Sequence, residues 1–357
     1  MNRKDTAAKV IIPVLSILIA FIIGGIIIAG LGKNPFTAYG YLFSGAFGSS
    51  QKFAQTLTIA CPLIFTALAA AFAYKCGVFN LGGEGQFIIG AVTSIFVCQT
   101  TGVTGFPGIL LSLALGTVMG GVWGAIPGIL KIARGLNEMI VSIMLNYVAT
   151  LFMGYVYTSL LREGSTPQTA AIADSLQLSR ISDSFHVHWG FIAAVVLAFV
   201  LGYVIFNTSF GFKIRAVGMN PMAAMFNGFP VKKLILSSFI ISGAVAGLGG
   251  SIELHGKQFR LMSGFGQGFG FDGVAIALIA QLNPVGAALV AFFFAVLRKG
   301  SSTLQTGMKI PSSVVDIIQA LVIIFAVGGT VLIKRPSVQK MLNRSRKQDS
   351  DKEGAKA

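Results

Sequence analysis

The chain has 357 residues, of which 54% are hydrophobic and 11% charged. An ordinary soluble domain carries about 25% charged residues, so this composition excludes a soluble enzyme, a disordered chain and a secreted disulfide scaffold. The net charge of +15 fits the basic cytoplasmic loops of a membrane protein better than nucleic-acid binding, because no basic stripe interleaves with exposed aromatics.

A membrane helix needs about 20 apolar residues, and the chain holds material for about ten. Residues 1–9 carry Arg3, Lys4 and Lys9, and 10–32 run without a charge. This run is longer than the apolar region of a signal peptide, about 7–15 residues, so it reads as an uncleaved first span entered from the cytosol. Further apolar runs cover 53–74, 86–98, 106–130, 138–161, 189–206 and 234–252. Cys61, Cys76 and Cys98 lie in or beside these runs and read as packing residues. The polar stretch 162–187 falls outside, and the basic stretch 207–233 inside. A glycine-rich segment, 263–270, precedes two short apolar runs, 272–282 and 284–297, broken at Asn283-Pro284.

At 1.5 Å per residue, neither short run crosses a core of about 30 Å alone. They read as one broken span, a crossing pair or a re-entrant pair. As one span, they leave 13 Lys and Arg inside and 14 outside; as a pair, 18 inside and 9 outside. The second count obeys the positive-inside rule. The expected fold is therefore all-α and polytopic, with about ten helical segments, some half-length or broken, and both termini cytosolic. The last span is 313–333, and the membrane body 10–333 ends in a basic tail, 334–357, expected to be disordered.

No catalytic constellation is present. No phosphate-binding loop occurs, since Gly32-Lys33 and Gly256-Lys257 are followed by Asn34 and Gln258, so the chain has no ATPase site of its own. His186 and His188 lie two apart on the outer stretch and read as loop residues rather than metal ligands.

Polar residues at membrane depth carry the information, because a carboxylate at the bilayer centre costs about 2.5–3.5 kcal/mol. In 79–86, Asn80, Glu84 and Gln86 surround three glycines. This is either a tight turn with a capping acid or a helix break lining a path. Asn137 and Glu138, followed by Ser142 and Asn146, form a loose helical stripe. It serves interhelical hydrogen bonds or a substrate path. Asp272 and Asp316 each open an apolar run and suit capping, with Asp272 also a path candidate. Glu253, near His255 and Lys257, reads as solvated.

Within 207–233, Asn220 is a good N-cap and Pro221 suits the first helical position. Met222, Ala223, Ala224, Met225 and Phe226 can make about a turn and a half before Gly228 stops the helix. So short a helix is unstable alone, and its Met and Phe side chains suggest a partner's groove, with packing on the protein's own cytosolic ends as the alternative.

Five stretches are similar to permease subunits of bacterial ABC importers, in the family handling ribose-type sugars, branched-chain amino acids and nucleosides. They are 79–86 (FNLGGEGQ), 137–149 (NEMIVSIMLNYVA), 214–228 (IRAVGMNPMAAMFNG), 242–250 (SGAVAGLGG) and 268–277 (GFGFDGVAIA). The NE-x-I-x-x-x-MLNY run most resembles the nucleoside, guanosine-type branch. The resemblance implies a plasma-membrane channel formed with a second, homologous permease. It implies cytosolic ATPase subunits that use ATP and Mg²⁺, and an extracellular binding lipoprotein; this chain binds no cofactor itself. It also makes Asn220–Gly228 the ATPase-coupling helix, with Ala223, Ala224 and Gly228 matching the AA-x-x-x-G core and Met222 standing where the family usually has an acid. Stretches 82–91 and 268–277 both run from glycines through an acid into a helix, which hints at an internal repeat. Two alternatives remain open: an ABC permease for ribose or another simple sugar, and an ion-coupled secondary transporter using Glu84 or Asp272.

Overall fold

A computed structural model describes residues 3–182, 185, 187–266 and 268–333, without side chains for 3–14, 16 and 330–333. His186 and the tail 334–357 therefore lie outside the described residues. The described residues form thirteen α-helices, and their only β pairings are isolated bridges. Two compact units emerge, one covering 42–300 and a smaller one built from both ends of the chain.

In the smaller unit, α1 (Arg3–Gly30) packs on α13 (Ser312–Ile333). Gly24 faces the Ile318 side chain, and Tyr39, on α2 (Pro35–Phe47), donates its hydroxyl to the Phe21 carbonyl. Asn34 starts α2 by accepting the Phe36 amide at 2.9 Å. The sequence shows no apolar run here, because thirteen residues shared with two Tyr, a Thr and a Ser give too short a signal. Asp316 falls in the second turn of α13, exposed and past the capping position.

The larger unit is centred on α3 (Ser50–Lys75), α4 (Gly83–Thr100), α5 (Gly105–Arg134) and α10 (Val231–Glu253). Helices in membranes associate through close backbone approach at small residues, and α5 and α10 show it. A Cβ at Gly120 would lie 2.6 Å from the Gly243 oxygen, and one at Gly247 2.6 Å from the Gly116 oxygen. Gly90 of α4 meets Gly247 as well, so three helices converge where only glycine fits. α6 (Glu138–Tyr155) and α7 (Trp189–Asn207) lie outside this centre and keep many apolar side chains exposed.

The two ends of the larger unit differ. At one end, α8 (Ser209–Met219) and α9 (Pro221–Phe226) pack against the close of α3 and the start of α10, through Tyr74, Val78, Ile214, Val217, Leu234 and Phe239. At the other, the loop after α6 lies over the far end of α10. There the Thr169 amide donates to the Leu261 oxygen at 3.0 Å and that of Leu178 to the His255 oxygen at 2.9 Å.

Among the described residues, seven helices are long and apolar enough to span a membrane, or eight if the bent pair formed by α1 and α2 counts as one. With α4 and the eleven-residue α11 (Phe269–Ile279), this gives the expected ten segments. One expectation changes. The run expected to end at residue 297 continues as α12 (Pro284–Met308), 25 residues long, so it is long enough to cross unaided, and of the two runs only α11 is half-length. Arg298 and Lys299 end the apolar run in sequence without ending the helix. The break itself stands: Gln281 and Leu282 take positive φ, and Asn283 caps α12 by accepting the Gly286 amide at 3.1 Å.

Candidate functional site

After α3 the chain turns at residues 76–82 and re-enters the helix bundle, so that α4 begins beside Ser242, the middle residue of α10. Asn80 organises the turn. Its amide nitrogen donates to Gln86 Oε1 at 3.0 Å and Ser242 Oγ at 2.9 Å, and its Oδ1 accepts the Gly82 amide at 2.9 Å. From α6, Asn146 accepts the Gly85 amide and donates to the Leu81 oxygen, both at 2.8 Å. These contacts satisfy backbone groups that the break would otherwise leave bare in a medium without water.

Glu84 joins this break to a second one. Its two carboxylate oxygens accept the Gly268 and Gly270 amides, each at 2.6 Å. Those amides open α11, and Glu84 itself sits in the first turn of α4. One carboxylate therefore lies at the positive ends of two helices. Two backbone donors on two oxygens suit the ionised form, which is acceptor-only. The two similar stretches, 82–91 and 268–277, thus meet start to start.

Asp272, also in the first turn of α11, pairs with Arg298 of α12 at 2.7 Å, and the guanidinium lies 4.8 Å from the Phe269 ring centroid. The pair is partly exposed, 23% for Asp272 and 28% for Arg298. Sequence reasoning missed Arg298 because it stands where the apolar run was cut. Its signal was a cation that glycine or proline does not set apart from the run before it.

The sequence candidates therefore divide into three groups. Asn80, Glu84, Gln86 and Asn146 come together, buried, with their polar atoms engaged in holding the break. Asp272 lies beside them on a more open face. Asn137 and Glu138 sit elsewhere, at the turn from α5 to α6. There Asn137 caps α6 by accepting the Met139 amide at 2.9 Å, and Glu138 pairs with Lys131. Two expectations on the opposite end are corrected. Glu253 is not solvated: it is buried, 3.3 Å from Lys257 and bonded to Gln258, because the π-helical turn Leu254–Gln258 folds over it. His188 is no ordinary loop residue but is buried beneath the loop. Burial and the nearby Lys257 charge push its pKa down to about 4. It lines a cavity of about 400 Å³ together with Arg180, Lys257 and Lys299.

At the α9 end, Asn220 Oδ1 accepts the Ala223 amide at 3.1 Å and Pro221 takes the first helical position. Gly228 adopts φ of 77°, and the Phe229 amide reaches back to the Ala224 oxygen at 3.0 Å. This left-handed close satisfies the last carbonyls of a six-residue helix. Ala224 points inward and is buried in the surrounding cluster. Met222, Met225 and Phe226 point outward. The helix is thus anchored on its alanine and presents its larger apolar side chains.

The model of the family described as "Branched-chain amino acid transport system / permease component" matches residues 52–327. The chain belongs to this permease family. It is 33% identical over 328 residues to the guanosine ABC transporter permease NupP of Bacillus subtilis, covering 90% of this chain and 94% of that one. The guanosine permease NupQ of the same organism is 31% identical over 249 residues, 67% of this chain and 78% of that one. The glucose ABC transporter permease TsgB13 of Haloferax volcanii is 32% identical over 327 residues, 88% and 86%. This permease is a multi-pass subunit of the cell membrane that serves an ABC importer, with ATP hydrolysis on a separate subunit. Two guanosine permeases of one organism, NupP and NupQ, are thus among its relatives.

Proposed function

We propose that this permease carries nucleosides of the guanosine type, paired with a second, NupQ-like permease. The observation that carries the transport reading is α9, a capped helix anchored by Ala224 with Met222, Met225 and Phe226 turned outward. A cytosolic ATPase that binds ATP and Mg²⁺ buries those side chains and so moves α8 and α10 on either side. On this reading the α9 end faces the cytosol, in keeping with the Lys and Arg residues of 207–233. A binding lipoprotein then meets the opposite end, where the cavity lined by Arg180, Lys257 and Lys299 opens.

Two guanosine permeases among the relatives, and the NE-x-I-x-x-x-MLNY run of α6, favour a nucleoside. The glucose permease favours a sugar as the second reading. Uptake competition in cells expressing the complete importer separates them. Excess guanosine should suppress labelled nucleoside uptake while glucose and ribose leave it intact. Suppression by the sugars alone would replace the nucleoside reading with the sugar reading.

A further inference from the structure

We infer that the face shared by α11 and α12 at Phe271, Asp272 and Arg298 lines the aqueous path, and that these three side chains contact the substrate. The inference rests on the nucleoside reading for the ligand's chemistry, but not for the location of the path.

The depth of the pair comes first. Asp272 follows the Gly268–Gly270 amides that Glu84 holds, and Glu84 belongs to the break beside Ser242, half-way along α10. Gly273, the next residue, packs on Thr66 in the body of α3, and Arg298 is the fifteenth of 25 residues in α12. The ion pair therefore lies deep in the span. Its surroundings come second. Charges at this depth are tolerated where they face a water-filled cavity or the interior of an assembly, not hydrocarbon. Glu84 obeys by burial. Asp272 and Arg298 do not, since both keep about a quarter of their surface open, and Phe271 beside them is 49% exposed. An open ion pair half-way down an apolar bundle faces water, a polar ligand or the interior of the permease pair rather than hydrocarbon, and an aqueous path between paired permeases meets that condition.

The chemistry of the trio comes third. Asn80, Gln86 and Asn146 have their polar atoms tied to the break, which leaves this pair, beside those candidates, as the polar group with open surface. An exposed phenyl face stacks on a flat base. A guanidinium donates to purine O6 and N7 in a paired geometry, and a carboxylate accepts ribose hydroxyls. Leu289 supplies the contrast. It is nine residues before Arg298, half a turn away around α12, apolar and 70% exposed, as a lipid-facing position should be.

The test uses the reconstituted importer carrying Cys98→Ala, since Cys61 and Cys76 are already buried. Phe271→Cys and Leu289→Cys are each exposed to a charged, membrane-impermeant thiosulfonate. Cys at 271 should react and Cys at 289 should not, and guanosine should slow the reaction at 271. Arg298→Lys keeps the charge but loses the paired donors, so it should raise the KM for guanosine by about ten-fold with a smaller change in kcat. Failure of the reagent to reach position 271, or reaction there without protection by any transported solute and with an unchanged KM for Arg298→Lys, overturns the inference. Protection by glucose in place of guanosine keeps the path and overturns the nucleoside reading instead.

Discussion

Replacing Met222, Met225 and Phe226 together by serine removes the apolar face of α9 without touching its anchor. Phe226 is 82% exposed, Met222 59% and Met225 52%. Full burial of one such side chain is worth about 1.5–3 kcal/mol, so scaling by the exposed fractions gives about 3–6 kcal/mol for the three. At 1.4 kcal/mol per decade, loss of that contact weakens ATPase docking by about 100- to 10,000-fold. The fold should hold, because Asn220, Ala224 and Gly228 keep the cap, the buried anchor and the left-handed close. The assay is the Kd between the purified ATPase and the permease pair, with thermal unfolding of the permease as control. A Kd within three-fold of wild type, with unfolding unchanged, would refute the docking role. Ala224→Glu does not serve here, because a carboxylate placed in that buried cluster destabilises the permease itself.

Three further outcomes follow from the geometry. Glu84→Gln turns an amide donor toward Gly268 or Gly270, leaving a buried N–H unmatched at about 1–3 kcal/mol; thermal unfolding in detergent should fall, and an unchanged midpoint would contradict the Glu84 link. Gly270→Ala should block folding, since its Cβ would lie 2.5 Å from Glu84 Cα, whereas Gly83→Ala, with its nearest neighbour at 3.7 Å, should express normally; equal expression would contradict the close meeting of α4 and α11. His188 is held neutral in the fold with its pKa lowered to about 4, so the unfolded chain takes up its proton first as pH falls. Its contribution is whole above the unfolded value of about 6.5 and is lost toward pH 4, at most about 3 kcal/mol. His188→Gln should therefore flatten the loss of stability between pH 7 and pH 5, and an equal slope would count against it.

The spans were legible in the sequence because about 20 uncharged residues in a row leave few alternatives. The short helix α9 was legible because Asn220, Pro221 and Gly228 are local signals that act within one turn. The site was harder to read. Glycines and an acid in 79–86 fit both a turn and a helix break, and only the partners Gly268 and Gly270, some 185 residues away in the chain, decide it. Arg298 escaped because a charge was taken to end a helix, whereas its pairing with Asp272 lets α12 run on. Glu253 and His188 escaped because the loop that buries them has no periodicity from which its path could be read.

The central claim is that this permease moves nucleosides with energy from a separate ATPase. Its most direct test is accumulation of labelled guanosine by proteoliposomes holding both permeases, the ATPase and the binding lipoprotein. Accumulation should require ATP on the α9 side, stop with vanadate and persist when ionophores collapse every ion gradient. Accumulation that survives vanadate and vanishes with the ionophore would contradict the account and point to an ion-coupled transporter.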